Sequence, residues 1–116
     1  MKKSSIVFLL SNEDSWPKLL AHITHIKNNP EFSGKIAVVV IGSAILSCLN
    51  SSSLIDTQKQ IEHFSLNHVD FYLCINTMNR YGITINQILT PFTIATSGGV
   101  IEVTKLVDQG YQLFQM

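Results

Sequence analysis

Apolar runs rich in β-branched and aromatic residues recur along the chain at Ile6–Leu10, Ile36–Ile41, Val69–Leu73 and Phe92–Ala95. Each is followed by a stretch whose apolar residues return at helical spacing. This alternation predicts an α/β domain with a mostly parallel sheet. The run Ile36-Ala37-Val38-Val39-Val40-Ile41 is apolar at every position, the signature of a strand covered on both faces, so it belongs in the middle of the sheet.

The first helix starts near Ser15, a suitable cap with Pro17 in the first turn. It continues through Leu19, Leu20, Ile23 and Ile26 until Asn28-Asn29-Pro30 stops it, and Glu31–Gly34 makes a turn. A polar stretch, Asn50-Ser51-Ser52-Ser53, reads as a flexible loop before a second helix that begins around Asp56 and carries Ile61, Phe64 and Leu66. A short helix after Asn76 ends at Gly82, which suits a left-handed cap. The last helix opens at Gly98-Gly99, sets Val100, Val103, Leu106 and Val107 on one face and ends at Gly110; Tyr111–Phe114 adds a short final strand. Neither an internal repeat nor a linker interrupts the 116 residues, which predicts a single domain over residues 1–116.

Charge excludes some functions. Eight basic residues balance eight acidic ones, and charged residues are only 14% of the chain. Nothing here suits a nucleic acid or an anionic membrane surface. So few charges beside 46% apolar residues predict that partner subunits cover part of the surface. Two cysteines do not make a secreted disulfide framework. The five-residue apolar stretch after Met1-Lys2-Lys3-Ser4-Ser5 is too short for an export signal, and no run is long enough to span a bilayer. A reducing cytoplasm is the expected compartment.

Parallel sheets bind ligands beyond the carboxyl ends of their strands. Three turns meet there: Gly42-Ser43-Ala44, Cys74-Ile75-Asn76-Thr77 and Ser97-Gly98-Gly99. All are small or polar and leave amide groups free at helix starts. Cys74 lies where a strand becomes a helix, so those amides and the helix dipole favour its thiolate, the form that attacks electrophiles and carries sulfur. The candidate site is thus Cys74 as the reactive group, with Gly42, Ser43, Asn76, Thr77, Ser97, Gly98 and Gly99 around a ligand; the alternative for Cys74 is an inert thiol buried in the core. Asn76 reads as the helix cap and Thr77 as a first-turn residue, either of which can also bond a sulfur species or anion. Cys48 reads as a core or loop residue, with a resolving role in a disulfide as the alternative. Arg80 faces solvent or a subunit interface in preference to Cys74. His22 and His25 lie one turn apart without a third ligand, and His63 and His68 suit structural roles, so neither a metal nor a cofactor is expected.

Cys74-x-Asn76-Thr77-Met78, Gly82-Ile83, Leu89-Thr90-Pro91, Ser97-Gly98-Gly99-Val100 and Gly110-Tyr111 together resemble the DsrE/DsrF-like sulfur-relay family, in its small single-domain branch. The resemblance implies a three-layer α/β/α sandwich with a five-stranded, mainly parallel sheet, assembled as trimers or hexamers. It also implies that Cys74 accepts sulfur from a donor protein, or presents it to an acceptor, as a persulfide. Where sulfur-transferring members tend to have small apolar residues after the cysteine, this chain has Asn76 and Thr77. The alternative reading is a non-catalytic module that binds a small anion or a protein in the same crevice. A nucleotide-binding domain is the weaker third, because Ser11-Asn12-Glu13-Asp14 follows the first strand where a glycine-rich phosphate loop would stand.

Overall fold

The handedness of strand crossovers, applied to one strand order, accounts for the architecture. In a computed structural model that describes residues 4–51 and 55–116, five strands form one parallel sheet: β1 (Ser5–Leu10), β2 (Ile36–Val40), β3 (Val69–Cys74), β4 (Phe92–Ala95) and β5 (Tyr111–Gln115). Their order is β4-β3-β2-β1-β5. The helices are α1 (Trp16–Lys27), α2 (Ile55–Leu66), α3 (Ile75–Tyr81) and α4 (Gly99–Asp108). From β1 to β4 the chain steps across the sheet in one direction, so right-handed crossovers put α1, α2 and α3 on one face. The return from β4 to β5 runs the other way, and the same handedness sends α4 to the opposite face. Three layers result.

Each face has its own core. On the α1–α3 side Trp16, Leu19, Leu20 and Ile23 pack with Ile45, Ile61 and Phe64 over Phe8, Val38, Phe71 and Leu73. Trp16 anchors this side: its ring lies 6.5 Å from Phe71 and edge-on to Phe92, and its indole N–H donates to the Ala44 carbonyl at 2.9 Å. On the other side Val103 and Leu106 of α4 cover Val7, Ala37 and Val39. Alternate residues of β2 serve the two cores, and all five are buried. That is why its run is apolar without a polar phase, and β2 holds the centre of the sheet as its composition predicts.

Local departures from the sequence reading have physical causes. Val100 and Val107 are 67% and 43% exposed, because α4 buries the stripe Gly99, Val103 and Leu106 instead. Leu66 likewise points away from the core. After β2 the chain makes consecutive 3-10 turns over Gly42–Cys48. Ser15 holds the cap position of α1 but its hydroxyl closes no cap bond; the Asn12 side chain accepts from the Asp14 amide one turn earlier. The final strand pairs with β1 and forms an edge. Ser52 and Ser53 of the expected loop, and Met1–Lys3 of the opening segment, lie outside the described residues.

Candidate functional site

β3 and β4 are neighbours, yet the helices that follow them leave toward opposite faces of the sheet. Such a divergence opens a crevice at the carboxyl edge. Cys74 ends β3 and directly precedes α3 on one side of it, while Gly98 and Gly99 begin α4 on the other. The cavity between them has a volume of about 330 Å³ and is lined by Gly42, Cys74, Asn76, Thr77, Ser97, Gly98 and Gly99, with Ile41, Arg80, Val100 and Ile101. Seven of the eight residues expected around a ligand or as nucleophile therefore converge on one space. Ser43 does not: its hydroxyl accepts the Glu13 amide at 3.2 Å and ties the turn after β2 to the one after β1.

Phe71 and Leu73 point into the α1–α3 core, so by strand alternation Cys74 points to the α4 side. The residue is only 6% exposed, with its remaining access through the crevice. The Gly99 N–H donates to Cys74 Sγ at 3.2 Å. α4 approaches this closely because residue 99 has no side chain: a Cβ there would lie 2.5 Å from Ile41 Cγ2 and 3.3 Å from both Cys74 Cβ and Val39 Cγ1. Glycine at position 98 answers a different need, a φ of +96°.

Cys74, not Asn76, is the cap of α3, which puts Asn76 and Thr77 in the first turn with their amides directed toward the sulfur. The strand runs straight into the helix with no spacer, and this moves the cap two residues earlier than polarity alone suggests. Burial pushes the Cys74 thiol up, but the Thr77 and Gly99 amides, the Thr77 hydroxyl and the Asn76 amide outweigh it and hold the thiol below its ordinary value. Of these only the Gly99 bond is closed; the helix amides face the sulfur without a cap hydrogen bond of ordinary length. Thr77 is itself held by the Gly42 N–H, which donates to its hydroxyl at 3.3 Å. One threonine thus joins the turn after β2 to the thiol.

Arg80 lines the crevice, closer to the site than its sequence separation suggested, but its charge is not among the influences that lower the thiol. Ile41, Val100 and Ile101 are wall residues that sequence reasoning missed; the exposure of Val100 at a helix start was the signal lost by assigning it to the core. Cys48 packs in the core on the other face of the sheet, its thiol donating to the Ala44 carbonyl at 3.6 Å, and burial pushes it well above its ordinary value. This placement fits a core residue and separates it from Cys74 by the sheet itself.

Comparison with solved structures returns the same architecture. A protein of unknown function from Methanobacterium thermoautotrophicum, MTH1491, superposes with a TM-score of 0.87 at 17% identity, over 98% of this chain and 100% of that one. BT1422 from Bacteroides thetaiotaomicron, also of unknown function, gives 0.71 at 16% identity over 97% and 95%. The ychN protein of E. coli gives 0.72 at 12% identity over 99% and 100%. At such identities the likeness establishes the fold alone. No curated protein matches the chain. Residues 6–116 match the DsrE/DsrF-like family, from the first strand to the last and across every turn of the crevice, and the chain belongs to that family.

Proposed function

We propose that this protein is a sulfur carrier in which Cys74 accepts sulfane sulfur and presents it as a persulfide. The observation that carries the reading is a thiol held below its ordinary value at the floor of an open crevice, with the Gly99 amide on its sulfur. The Cys74 thiolate attacks the outer sulfur of a donor persulfide: a bond forms between Sγ and that sulfur, the donor S–S bond breaks, and the donor leaves as a thiolate. Charge and proton are conserved, with Cys74–S⁻ and R–S–SH giving Cys74–S–SH and R–S⁻. The amides that favour the thiolate are equally placed for the terminal sulfur of the bound persulfide. The donor and the acceptor are proteins in this reading, the setting a reducing cytoplasm, and assembly with further copies is supported by Val100, Ile101, Val107, Leu113 and Phe114, large apolar residues left exposed on α4 and β5.

Intact-mass spectrometry after treatment with a persulfide donor tests the reading. Wild type should gain one sulfur atom and Cys74→Ser none, while Cys48→Ser gains it normally. A wild-type chain that stays unmodified, or a sulfur that persists in Cys74→Ser, overturns it. A Cys74 thiol that alkylates with an ordinary pH profile would instead favour a binding module using the same crevice.

A further inference from the structure

β5 is one edge of the sheet, and its sequence does nothing to protect it. Natural edge strands carry a lysine, a proline or a bulge, or stop after very few residues. Tyr111-Gln112-Leu113-Phe114-Gln115 has neither charge nor proline, and its register with β1 runs from Ser5–Tyr111 to Leu9–Gln115 without a bulge. The opposite edge is the contrast: β4 is four residues long and follows Pro91 directly.

One bond fixes which backbone groups of β5 are free. The Met116 N–H donates to the Leu9 carbonyl at 2.9 Å, so residue 116 faces β1. The N–H and C=O of a strand residue leave on the same side, and the sides alternate along the strand. Gln112 and Phe114 therefore face β1 as well, while Tyr111, Leu113 and Gln115 direct their N–H and C=O outward, where no described strand meets them. The side chains add a second constraint. Leu113 stands beside Val7 on the α4 face, Phe114 lies against Phe8 on the α1 face with ring centroids 6.0 Å apart, and the two are 45% and 49% exposed. Apolar residues bared on both faces of one strand require an occupant that continues the sheet, since a helix laid on one face would leave the other in water.

We propose that β5 pairs antiparallel with β5 of a second copy of this chain, across a two-fold axis at Leu113. Centring on Leu113 is the register that engages the whole strand, and it is in phase with the free backbone groups. Leu113 and the partner's Leu113, and Tyr111 and the partner's Gln115, become hydrogen-bonded pairs that exchange both backbone bonds. The two Leu113 side chains then stand opposite each other on the α4 face, and Phe114 lies beside the partner's Gln112 on the α1 face. Two-fold pairing is closed and uses up the unprotected edge of both molecules, and a strand without charge meets its own copy without repulsion. A five-residue strand spans roughly 17 Å and a helix layer on each side makes the seam roughly 20 Å deep, so it buries roughly 350 Å² per copy against about 800 Å² in a standard interface. The pair is therefore reversible, with a dissociation constant on the order of micromolar or weaker.

Sedimentation velocity of the full-length protein from about 1 µM to about 1 mM, with amide hydrogen exchange at both ends of that range, tests the pairing. Average mass should rise with concentration, and Leu113→Lys, which sets two ammonium groups face to face, should weaken association about tenfold or more. Gln115→Pro removes an outward N–H only, so it should weaken association likewise while the ladder to β1 and the unfolding temperature stay in place. The Leu113 and Gln115 amides should gain protection as concentration rises, whereas the Gln112 and Phe114 amides, which face β1, should be protected throughout. A monomer at every concentration, association unmoved by Leu113→Lys and Gln115→Pro, or exchange at Leu113 that ignores concentration overturns the proposal; the last result with association intact would place the contact elsewhere, as on α4. The pairing specifies the assembly proposed above and is independent of its sulfur chemistry. Since sulfur loading of Cys74 is read separately by mass, failure of either assignment leaves the other standing.

Discussion

Replacing Gly99 by alanine isolates what the site requires of the fold. The added Cβ would meet Ile41 Cγ2 at 2.5 Å, against an optimal carbon–carbon separation of about 3.5–4.0 Å, so relief needs a displacement of roughly 1 Å. Ile41 is β-branched and stiff, and Val39 and Cys74 close the remaining sides, so the start of α4 must lift away from the sheet. Alanine at a helical position whose φ is not left-handed would by itself gain about 0.5–1 kcal/mol, whereas overpacking a tight contact costs about 1–3 kcal/mol. Overpacking wins, and a net loss of roughly 1–2 kcal/mol is expected from chemical denaturation. The second effect is chemical. The same lift carries the Gly99 N–H from 3.2 Å to about 4 Å from Cys74 Sγ, beyond a useful hydrogen bond, and the thiol should rise toward its ordinary value. Alkylation rate against pH should show its midpoint move upward, with slower reaction at neutral pH. A Gly99→Ala protein with unchanged stability and an unchanged alkylation profile would refute the argument that absence of a side chain at this position sets both the packing and the thiol.

Three further outcomes follow from other contacts. In the native wild-type protein iodoacetamide should label Cys74 alone, at a rate that rises through a midpoint below the ordinary thiol value, while Cys48 reacts only on unfolding because it is buried and pushed upward; peptide mass mapping reads both. Thr77→Val keeps the shape but removes the hydroxyl that accepts from the Gly42 amide and lowers the thiol, so it should cost about 1 kcal/mol and shift the Cys74 alkylation midpoint upward. Ser47→Ala should stabilise the protein by about 1 kcal/mol in denaturant titration, because the Ser47 hydroxyl is buried without a hydrogen-bond partner among the described residues and alanine removes that desolvated group.

Strand existence and the central place of β2 were legible because burial on two faces removes every polar phase from a sequence, and Ile36–Val40 has none. The face of α4 was not. Val100 and Val107 are as apolar as Val103, and only the stripe seated on Val7, Ala37 and Val39 distinguishes them, a selection made by the sheet and not by the helix. The position of β5 was equally hidden, since pairing with β1 depends on a return across the whole sheet that no local pattern encodes. Cys74 stood out because it lies where an apolar strand becomes a helix, where free amides and the helix dipole favour a thiolate. Ser43 looked equivalent to its neighbours by composition, but a hydroxyl in a tight turn is most easily satisfied by the next turn, and the Glu13 amide takes it.

The crevice draws its chemistry from a topological fact. Because β4 must send the chain back to the far edge, α4 starts on the face opposite α3, and their first turns bracket one strand end from two directions. Burial raises the Cys74 thiol, and donors from both helices act against it. The Thr77 amide of α3 lowers the thiol most, and the Gly99 amide of the second helix adds to that; the latter can reach the sulfur only where residue 99 lacks a side chain. A thiol at the same strand end with both helices on one face would keep the α3 donors but lose the Gly99 amide, and would be lowered less. The reactivity proposed for Cys74 thus draws on the reversal in strand order, through Gly99, as well as on the first turn of α3.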